Sequence, residues 1–363
     1  MNFRKTILAA ALSACAGTAM AADKIPTLGE VFKASGINVD GYIDYSHNHL
    51  STNTGTPSFR IFDTEHSGFN LQMLDLRISS LPSSGIGGLV ELNYGPDANV
   101  IAPAGTNNTD ETDVSQAYLQ YATGPFSVMA GKFVTLAGAE VIRSPDDTNF
   151  SRSFMFGYAI PFTHTGVRAA YAPSDSLKFM AGINNGWDLL KQSARPSTSG
   201  NTAELGVSAN PSKMLSLSAA YYNGKEQGVT GSDTRTLLDL VATINATDAL
   251  SFVLNYDNGQ QDKGTASGGK AKWNGLAGYV NYTFTDQWRL SFRTEKFDDK
   301  DSFRTGTKQK LKENTLTVAY MPAKSMELRA EYRADKSDKN VFTEGKSTKT
   351  TQNSIGLEAL YKF

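Results

Sequence analysis

The last ten residues, 354–363, read SIGLEALYKF and alternate between apolar and polar side chains. The apolar series is Ile355, Leu357, Ala359, Tyr361 and Phe363. Of the residues between them, only Leu360 is a large apolar residue and breaks the pattern. Successive side chains of a strand point to opposite faces, so this pattern predicts a strand with one apolar face. A soluble domain usually frays at its end. A strand that continues to the last residue therefore indicates that this segment is paired with another strand.

The same alternation recurs along the chain. It is clear in LKFMAGINN (177–185), LSLSAAYYN (215–223) and MELRAEYRA (326–334). Long helical periodicity is nearly absent, and the exception is TLGEVFKASG (27–36). These patterns predict an all-β protein.

The connections between the predicted strands alternate between short and long. Short turns rich in Pro, Gly, Asn, Asp and Ser occupy 81–85, 122–125, 172–176, 210–213, 245–248, 284–287 and 321–324. Longer polar stretches lie between them, for example at 50–59, 258–270 and 334–349. This rhythm is typical of a transmembrane up-and-down antiparallel β-barrel with short periplasmic turns and long extracellular loops.

We predict about sixteen strands, an even number, with both termini on the periplasmic side. They begin near Ile37, Gly68, Ile86, Val114, Phe126, Thr165, Leu177, Ala203, Leu215, Leu237, Phe252, Trp273, Trp288, Leu316, Met326 and Ser354. The apolar series of the second strand switches phase between Met73 and Leu74, which predicts a β-bulge. Closure of the barrel would explain the ordered last strand, because the bilayer core does not tolerate free sheet edges. The alternative is a soluble β-sandwich whose second sheet covers every apolar face.

The first residues predict export. A basic start, an apolar stretch and the small-residue site Ala19-Met20-Ala21 indicate a secretory signal peptide over 1–21. Residues 22–36 then form a short periplasmic segment containing a candidate helix, and the barrel occupies 37–363. An alternative is a lipobox ending at Cys15, the only cysteine. Cleavage after Ala21 would leave a mature chain without disulfides.

Composition argues against several classes of function. The 35 basic and 36 acidic residues give no basic footprint for nucleic acid. No local serine signature or His/Asp partner set indicates a catalytic site, and no cofactor is implied. His47, His49 and His66 could approach one another and bind a transition metal. The alternative, which we favour, is that they are polar residues of a loop or interface, so we assign no metal site.

Charged residues on the predicted strands are expected to face the lumen, because a charge on the lipid face costs about 2–4 kcal/mol at the bilayer midplane. These residues are Arg77, Glu91, Lys132, Arg168, Lys178, Glu204, Asp239, Asp257, Arg289, Arg293, Glu295, Glu327, Arg329, Glu331, Arg333, Glu358 and Lys362. Both signs are mixed, so we expect a wet and weakly selective channel. The alternative is that the charges pair across strands and have no selective role.

The third long connection, 137–163, is unlike the others because it carries five aromatic residues. A loop of this length in a compact fold is usually functional. We expect it to fold into the lumen and narrow the pore, by analogy with porins of similar size. The candidate constriction residues are Glu140, Arg143, Asp146, Asp147 and Arg152. The alternative is a loop that caps the barrel or packs on a neighbouring subunit.

The segment 113–171 contains the most distinctive motifs. They are Gln116-Ala117-Tyr118, Gly131-Lys132-Phe133, Glu140, Asn149-Phe150-Ser151-Arg152-Ser153, Pro161 and His164-Thr165-Gly166-Val167. With them, the chain resembles the OmpL-like putative β-barrel porin family of Gram-negative outer membranes. The resemblance implies a barrel that forms a channel, and it implies no particular substrate.

The expected function is passive diffusion of small hydrophilic solutes across the outer membrane of a Gram-negative bacterium. The alternatives are a channel selective for sugars or organic anions, with a track of Tyr42, Tyr118, Tyr222 and Tyr279, and a structural or adhesion barrel with a closed lumen. The expected partners are the bilayer with its lipopolysaccharide, small solutes, and the outer-membrane assembly machinery, which would recognise the strand ending at Phe363. A homotrimer is a further possibility, and no nucleic acid is expected.

Overall fold

A computed structural model describes residues 27–51, 57–65, 67–106, 110–195 and 200–363. The predicted signal peptide with Cys15, the first part of the segment 22–36, and His66 lie outside these described residues. The chain divides into two units, one ending at Ile37 and the other comprising Asn38–Phe363.

The first unit contains one helix, α1 (Leu28–Ser35). A capping box begins this helix. The backbone N–H of Thr27 donates to Glu30 Oε2 at 2.7 Å, and the N–H of Glu30 donates to Thr27 Oγ1 at 3.3 Å. No helix in the described part of the chain is long and apolar enough to cross a membrane.

The second unit is a closed antiparallel barrel of sixteen strands, which confirms the predicted fold and strand number. Its strands are β1 (Asn38–Leu50), β2 (Gly68–Ser80), β3 (Gly85–Tyr94), β4 (Thr112–Thr123), β5 (Phe126–Val134), β6 (Thr163–Ser174), β7 (Leu177–Asn184), β8 (Thr202–Ser212), β9 (Leu215–Gln227), β10 (Ser232–Asn245), β11 (Leu250–Gln261), β12 (Ala271–Thr285), β13 (Trp288–Asp299), β14 (Gln309–Ala323), β15 (Met326–Ser337) and β18 (Thr351–Lys362). A small hairpin, β16 (Phe342–Glu344) and β17 (Ser347–Lys349), lies in the last long connection.

Two strands begin well before their predicted starts. β10 begins at Ser232 rather than near Leu237, and β14 begins at Gln309 rather than near Leu316. The first outward-facing residues of β14 are polar, for example Lys310 and Lys312. Apolar alternation marks only the part of a strand that faces lipid, so it does not reveal these extensions.

The last strand pairs with the first, as predicted from its alternation. The backbone N–H of Phe363 donates to the carbonyl of Gly41 at 3.1 Å, and the N–H of Gly41 donates to the carbonyl of Phe363 at the same distance. The ring of Phe363 lies over Gly41, where an added Cβ would approach it to 2.7 Å. The final residue is therefore part of barrel closure.

The predicted bulge in β2 is confirmed. The β1–β2 register shifts between Asp44 and Tyr45, whose partners are Met73 and Leu71, so Gln72 is the extra residue. Both Gln72 and Met73 are buried on the inner face, while Leu71 and Leu74 are exposed on the outer face. The bulge thus restores the apolar outer face after one extra residue.

The barrel is apolar outside and largely polar inside, while several connections fold into its lumen. The connection between β5 and β6, residues 135–162, contains a 3₁₀ turn (Ser144–Asp146) and α3 (Phe154–Tyr158), and we call it the third loop. The β3–β4 connection contains α2 (Pro96–Ile101). Together with the first and fourth long connections, these segments form a buried cluster that includes Phe62, Ile101, Phe154 and Trp187.

Candidate functional site: the third loop inside the barrel

The third loop crosses the lumen, and carboxylates of the wall accept its backbone N–H groups. Glu331 of β15 accepts from Phe150 at 2.8 Å and from Ser151 at 3.0 Å. Glu295 of β13 accepts from Phe154 and, at 3.1 Å, from Met155. Irregular backbone has no ladder partner, so a loop buried inside a barrel requires such acceptors.

Arginines of the same wall donate to carbonyls of the third loop. Arg329 donates to Asp147 O at 2.7 Å, and Arg293 donates to Ser151 O. Arg333 donates to the carbonyl of Arg152. We call Arg293, Glu295, Arg329, Glu331 and Arg333 the loop clamp. Its donors and acceptors alternate along β13 and β15, and they fix the position of the loop backbone.

Ion pairs compensate the clamp arginines, which are buried. Arg293 contacts Glu140 of the third loop at 2.6 Å and Glu313 of β14 at 2.5 Å. Arg329 contacts Glu358 at 2.9 Å and Glu327 at 2.7 Å. Burying a charge without a partner is expensive, so these pairs make the clamp possible.

Farther along the same wall, beyond β18, Arg143 ties the third loop to β1–β3. Its guanidinium contacts Asp40 at 2.9 Å, Asp75 at 2.5 Å and Glu91 at 2.8 Å. Burial opposes the charge of Arg143, but these carboxylates together raise its pKa above the ordinary value. The third loop is therefore held along a continuous stretch of wall from β13 to β3.

Asp147 and Arg152 lie within the fold of the third loop. Arg152 Nε is 3.0 Å from Asp147 Oδ2, but it donates its hydrogen bond to the carbonyl of Val141. Burial raises the pKa of Asp147 to about 7, although the positive charge of Arg152 opposes this shift. Both side chains are buried, and they support the loop from within. Asp146, in contrast, keeps 59% of its side chain exposed.

A cavity of about 470 Å³ lies between the third loop and the wall, toward the end of the barrel that carries the short turns. Its polar lining includes Arg77, Glu91, Gln116, Arg143, Asp146 and Ser208. Leu136, Phe162 and Met180 add apolar surface. Glu140, Arg143 and Asp146 are thus the constriction candidates that border open space together with wall charges.

Several of the remaining predicted lumen residues form ion pairs across strands. Lys132 contacts Asp113 at 2.8 Å, Arg168 contacts Glu204 at 2.5 Å, and Arg289 contacts Glu327 at 2.5 Å. Lys178 is different because its side chain is exposed near a turn. Asp239 and Asp257 face one another as two carboxylates, with no cation within 4.0 Å among the described residues. Several lumen charges therefore neutralise one another, but these two do not.

Tyrosines do not form a continuous exposed track. Tyr42, Tyr222 and Tyr279 are buried. The hydroxyl of Tyr222 accepts from the N–H of Leu136 in the third loop at 2.8 Å. Only Tyr118 is partly exposed. The third loop covers the surface along which a sugar would have to slide.

Sequence reasoning missed several residues of the site. Glu313, the partner of Arg293, was overlooked because β14 begins earlier than its apolar pattern indicates. Gly356 and Gly275 face the third loop, and a Cβ on them would lie 2.6 Å from the Phe150 ring and from Met155 Cγ, respectively. An inward glycine in an otherwise regular strand is a signal for such a close approach.

The histidines are not gathered into a metal site in the described part of the chain. His47 contacts the ring of Phe69 edge-on at 4.8 Å. His49 Nδ1 lies 3.4 Å from the hydroxyl of Ser67. His164 is buried and stacks on Tyr222 at 5.0 Å.

Comparisons with known proteins agree with this architecture. The family model described as "Putative beta-barrel porin-2, OmpL-like" matches residues 32–363. No curated protein sequence matches significantly. Similar solved structures include the outer membrane channel DcaP of Acinetobacter baumannii, with a TM-score of 0.60, 16% identity, and coverage of 90% of this chain and 97% of that one.

Two further structures are similar. The trimer form of OmpT from Vibrio cholerae has a TM-score of 0.61 and 14% identity, and the match covers 90% of this chain and 99% of that one. The anion-selective porin from Comamonas acidovorans has a TM-score of 0.61, 12% identity and the same coverage. At these identities the likeness shows the fold alone.

The family match extends over the whole barrel, and the sixteen-stranded architecture is that of outer-membrane proteins. These findings point to a channel of the Gram-negative outer membrane rather than to an enzyme. The chain belongs to the OmpL-like β-barrel porin family.

Proposed function

We propose that the protein allows passive diffusion of small hydrophilic solutes through a lumen that the third loop narrows. The clamp carries this proposal, because it fixes the loop across the lumen through paired donors and acceptors. A loop that merely capped the barrel would not require buried charges of the wall. Arg143, Asp146 and the neighbouring wall charges would border the narrow passage.

The cavity beside the third loop indicates the size of solute that would pass. At roughly 30 Å³ per water molecule, its volume of about 470 Å³ would hold on the order of fifteen waters. That space suits a solute of about the size of a monosaccharide. Because Arg143 is balanced by carboxylates, we expect size exclusion with only a weak electrostatic preference.

Single-channel recording tests the proposal. The refolded protein in a planar bilayer should give discrete ohmic steps, and the reversal potential in a salt gradient would report the ion preference. Replacing residues 141–152 with a short Gly-Ser linker should raise the conductance. A matched shortening of the β11–β12 connection, 262–270, should leave it unchanged. Equal conductance and equal ion preference in both variants would rule out a constriction by the third loop.

A closed or gated barrel is the second candidate, and one observation favours it. The half of the lumen nearest the long connections is packed with buried apolar side chains. Trp187, Trp273, Phe297, Leu311 and Phe342 are all almost fully buried. Correctly folded protein that never conducts would support a structural or adhesion role for such a barrel.

The assembly state is also a proposal. We propose a homotrimer in the lipopolysaccharide-containing outer membrane. One support is that OmpT, a structural neighbour, has a trimer form. A second is an apolar groove of about 570 Å³ on the outer face, where Ala169, Ala181 and Ala219 lie between larger side chains. Native mass spectrometry in mild detergent would detect three barrels per particle, whereas a single barrel would argue against the trimer.

The proposed channel also requires export of the chain and its assembly in the outer membrane. We propose cleavage after residue 21 and recognition of the strand ending at Phe363 by the assembly machinery. N-terminal sequencing of the protein recovered from outer membranes tests the first step. A mature chain that begins with lipidated Cys15 would instead support the lipobox.

A further inference from the structure

Two arginines at the long-connection end of the lumen differ from the other arginines inside the barrel: Arg235 is buried and Arg304 is partly exposed. Within the described residues, each of Arg60, Arg152, Arg168, Arg293, Arg329 and Arg333 has a carboxylate within 4.0 Å. Arg235 of β10 and Arg304 of the β13–β14 connection make no such contact with any described carboxylate. A buried charge without a direct partner is costly, so the presence of Arg235 calls for another role.

Aromatic rings hold both guanidinium groups. The Cζ of Arg235 lies 4.8 Å from the centroid of Trp187 and 5.3 Å from that of Phe303. The Cζ of Arg304 lies 5.5 Å from Trp187 and 5.4 Å from Trp273. The two cations thus share one indole. Stacking engages the face of a guanidinium and leaves its N–H edge available.

The hydrogen bonds of these arginines are incomplete. Arg235 donates from Nε to Gln261 at 2.7 Å and from Nη2 to the carbonyl of Gln227 at 2.9 Å. Arg304 donates from Nε to the carbonyl of Tyr158. A guanidinium has five N–H donors. Nη1 of Arg235 and both Nη atoms of Arg304 therefore have no acceptor among the described residues.

The described carboxylates around the site lie more than 4.0 Å from both guanidinium groups. Asp188 accepts backbone N–H groups from Phe162 at 2.8 Å and Thr163 at 3.0 Å. Glu226 Oε1 accepts from the backbone of Trp187 at 2.9 Å, while its Oε2 has no hydrogen-bond partner among the described residues. Asp299 accepts from the backbone of its own connection. These groups balance the local charge at a distance, but none reaches the free guanidinium edges. Burial lowers the pKa of Arg304, although Asp188 and Asp299 oppose this.

We infer that Arg235 and Arg304 form a binding site for a small carboxylate at the long-connection end of the lumen. A carboxylate presents two coplanar oxygens, which match the edge of a guanidinium. A sugar or an aromatic ring is a poorer fit, because Trp187 and Trp273 are buried and their faces are taken by the arginines. The inference rests on the proposed channel and names its solute class, since such a site would concentrate anions at the mouth.

Tryptophan fluorescence of the refolded full barrel tests the site without requiring an open pore. The chain has three tryptophans, and Trp288 packs on Tyr320 at the short-turn end of β13, the opposite end of that strand from the connection with Arg304. In a Trp288→Phe background, only Trp187 and Trp273 report. Butyrate at constant ionic strength should change their emission saturably, while its neutral analogue butyramide should not.

Arg304→Gln should weaken butyrate binding about tenfold, the effect expected for one charged hydrogen-bonded pair. Arg304 is partly exposed on a connection, so this variant should still form a heat-resistant barrel. Lys272→Gln is the matched control. It removes an exposed charge next to Trp273 on the other face of β12 and should leave the affinity unchanged.

Three results would overturn the site: an equal response to butyramide, an unchanged affinity in Arg304→Gln, or saturation by inorganic phosphate with no response to butyrate. The conductance experiment remains independent. A barrel that binds butyrate but does not conduct would refute the proposed channel and support the carboxylate site. A barrel that conducts but does not bind butyrate would support the channel and refute the site.

Discussion

Arg293 shows how single residues hold the interior of this barrel together. Its side chain is 0% exposed, and it joins Glu140 of the third loop to Glu313 of the wall. It also donates to the carbonyl of Ser151. Replacing one partner of a buried ion pair leaves the other charge stranded, which costs far more than the net value of the pair.

We expect Arg293→Ala to lower the free energy of unfolding by about 3–5 kcal/mol, because Glu140 and Glu313 lose their cation. The unfolding midpoint of the refolded barrel in urea would measure this loss. Adding Glu140→Gln should recover part of it by removing one stranded charge. Arg77→Ala is the control, since its pair with Asp40 is partly exposed. Equal losses in Arg293→Ala and Arg77→Ala would contradict the clamp.

Asp147 gives the interior a pH dependence. Its pKa in the folded protein is raised to about 7, whereas an unfolded aspartate titrates near 4. The folded state thus binds more protons between about pH 4 and pH 7, so this group's contribution to stability falls as the pH rises through that window. The thermal unfolding midpoint should drop less from pH 5 to pH 8 in Asp147→Asn than in the wild type. An identical drop in both would show that Asp147 does not contribute.

At the scale of elements, the third loop is seated by the strands that surround it. Its backbone hydrogen bonds go to wall side chains, and Phe150 fits against Gly356 of β18. The aromatic content of the loop predicted that it was more than a solvated tip. Its partners were not predictable, because β13, β15 and β18 are distant in sequence and meet the loop only after the barrel closes.

Gly356→Ala should displace the loop, because the new Cβ would lie 2.6 Å from the Phe150 ring. Overpacking of this kind costs about 1–3 kcal/mol. We expect faster protease cleavage within 135–162 in the folded barrel. The control is Gly278→Ala on β12, whose Cβ would meet nothing closer than 3.7 Å. If both variants are cleaved at the wild-type rate, Gly356 is not the seat of the loop.

At the scale of the whole molecule, closure depends on the pairing of β18 with β1. Phe363 contributes two backbone hydrogen bonds with Gly41 and a ring that covers the glycine. An open edge in the membrane would expose unpaired backbone groups to lipid. The end of the chain is thus part of the closed sheet.

Deleting Phe363 should lower stability by about 2 kcal/mol from the two lost hydrogen bonds alone. The fraction of heat-resistant barrel on a gel, followed against temperature, would show the change. Phe363→Tyr keeps both bonds and the ring and should behave as the wild type. A deletion variant as heat-resistant as the wild type would mean that closure does not depend on this residue.

The sequence alone determined the barrel, its sixteen strands, a bulge in β2 and the pairing of the last strand, whereas the structure identified Gln72 as the extra residue. Alternation and turn residues are local signals, and lipid enforces them on every strand, so they can be read without a structure. Only the tertiary structure decided which charges meet, that the third loop covers Tyr42 and Tyr222, and that Arg235 and Arg304 share Trp187. These contacts join segments far apart in the chain, and no local pattern encodes which of the many inward side chains will face one another across a closed sheet.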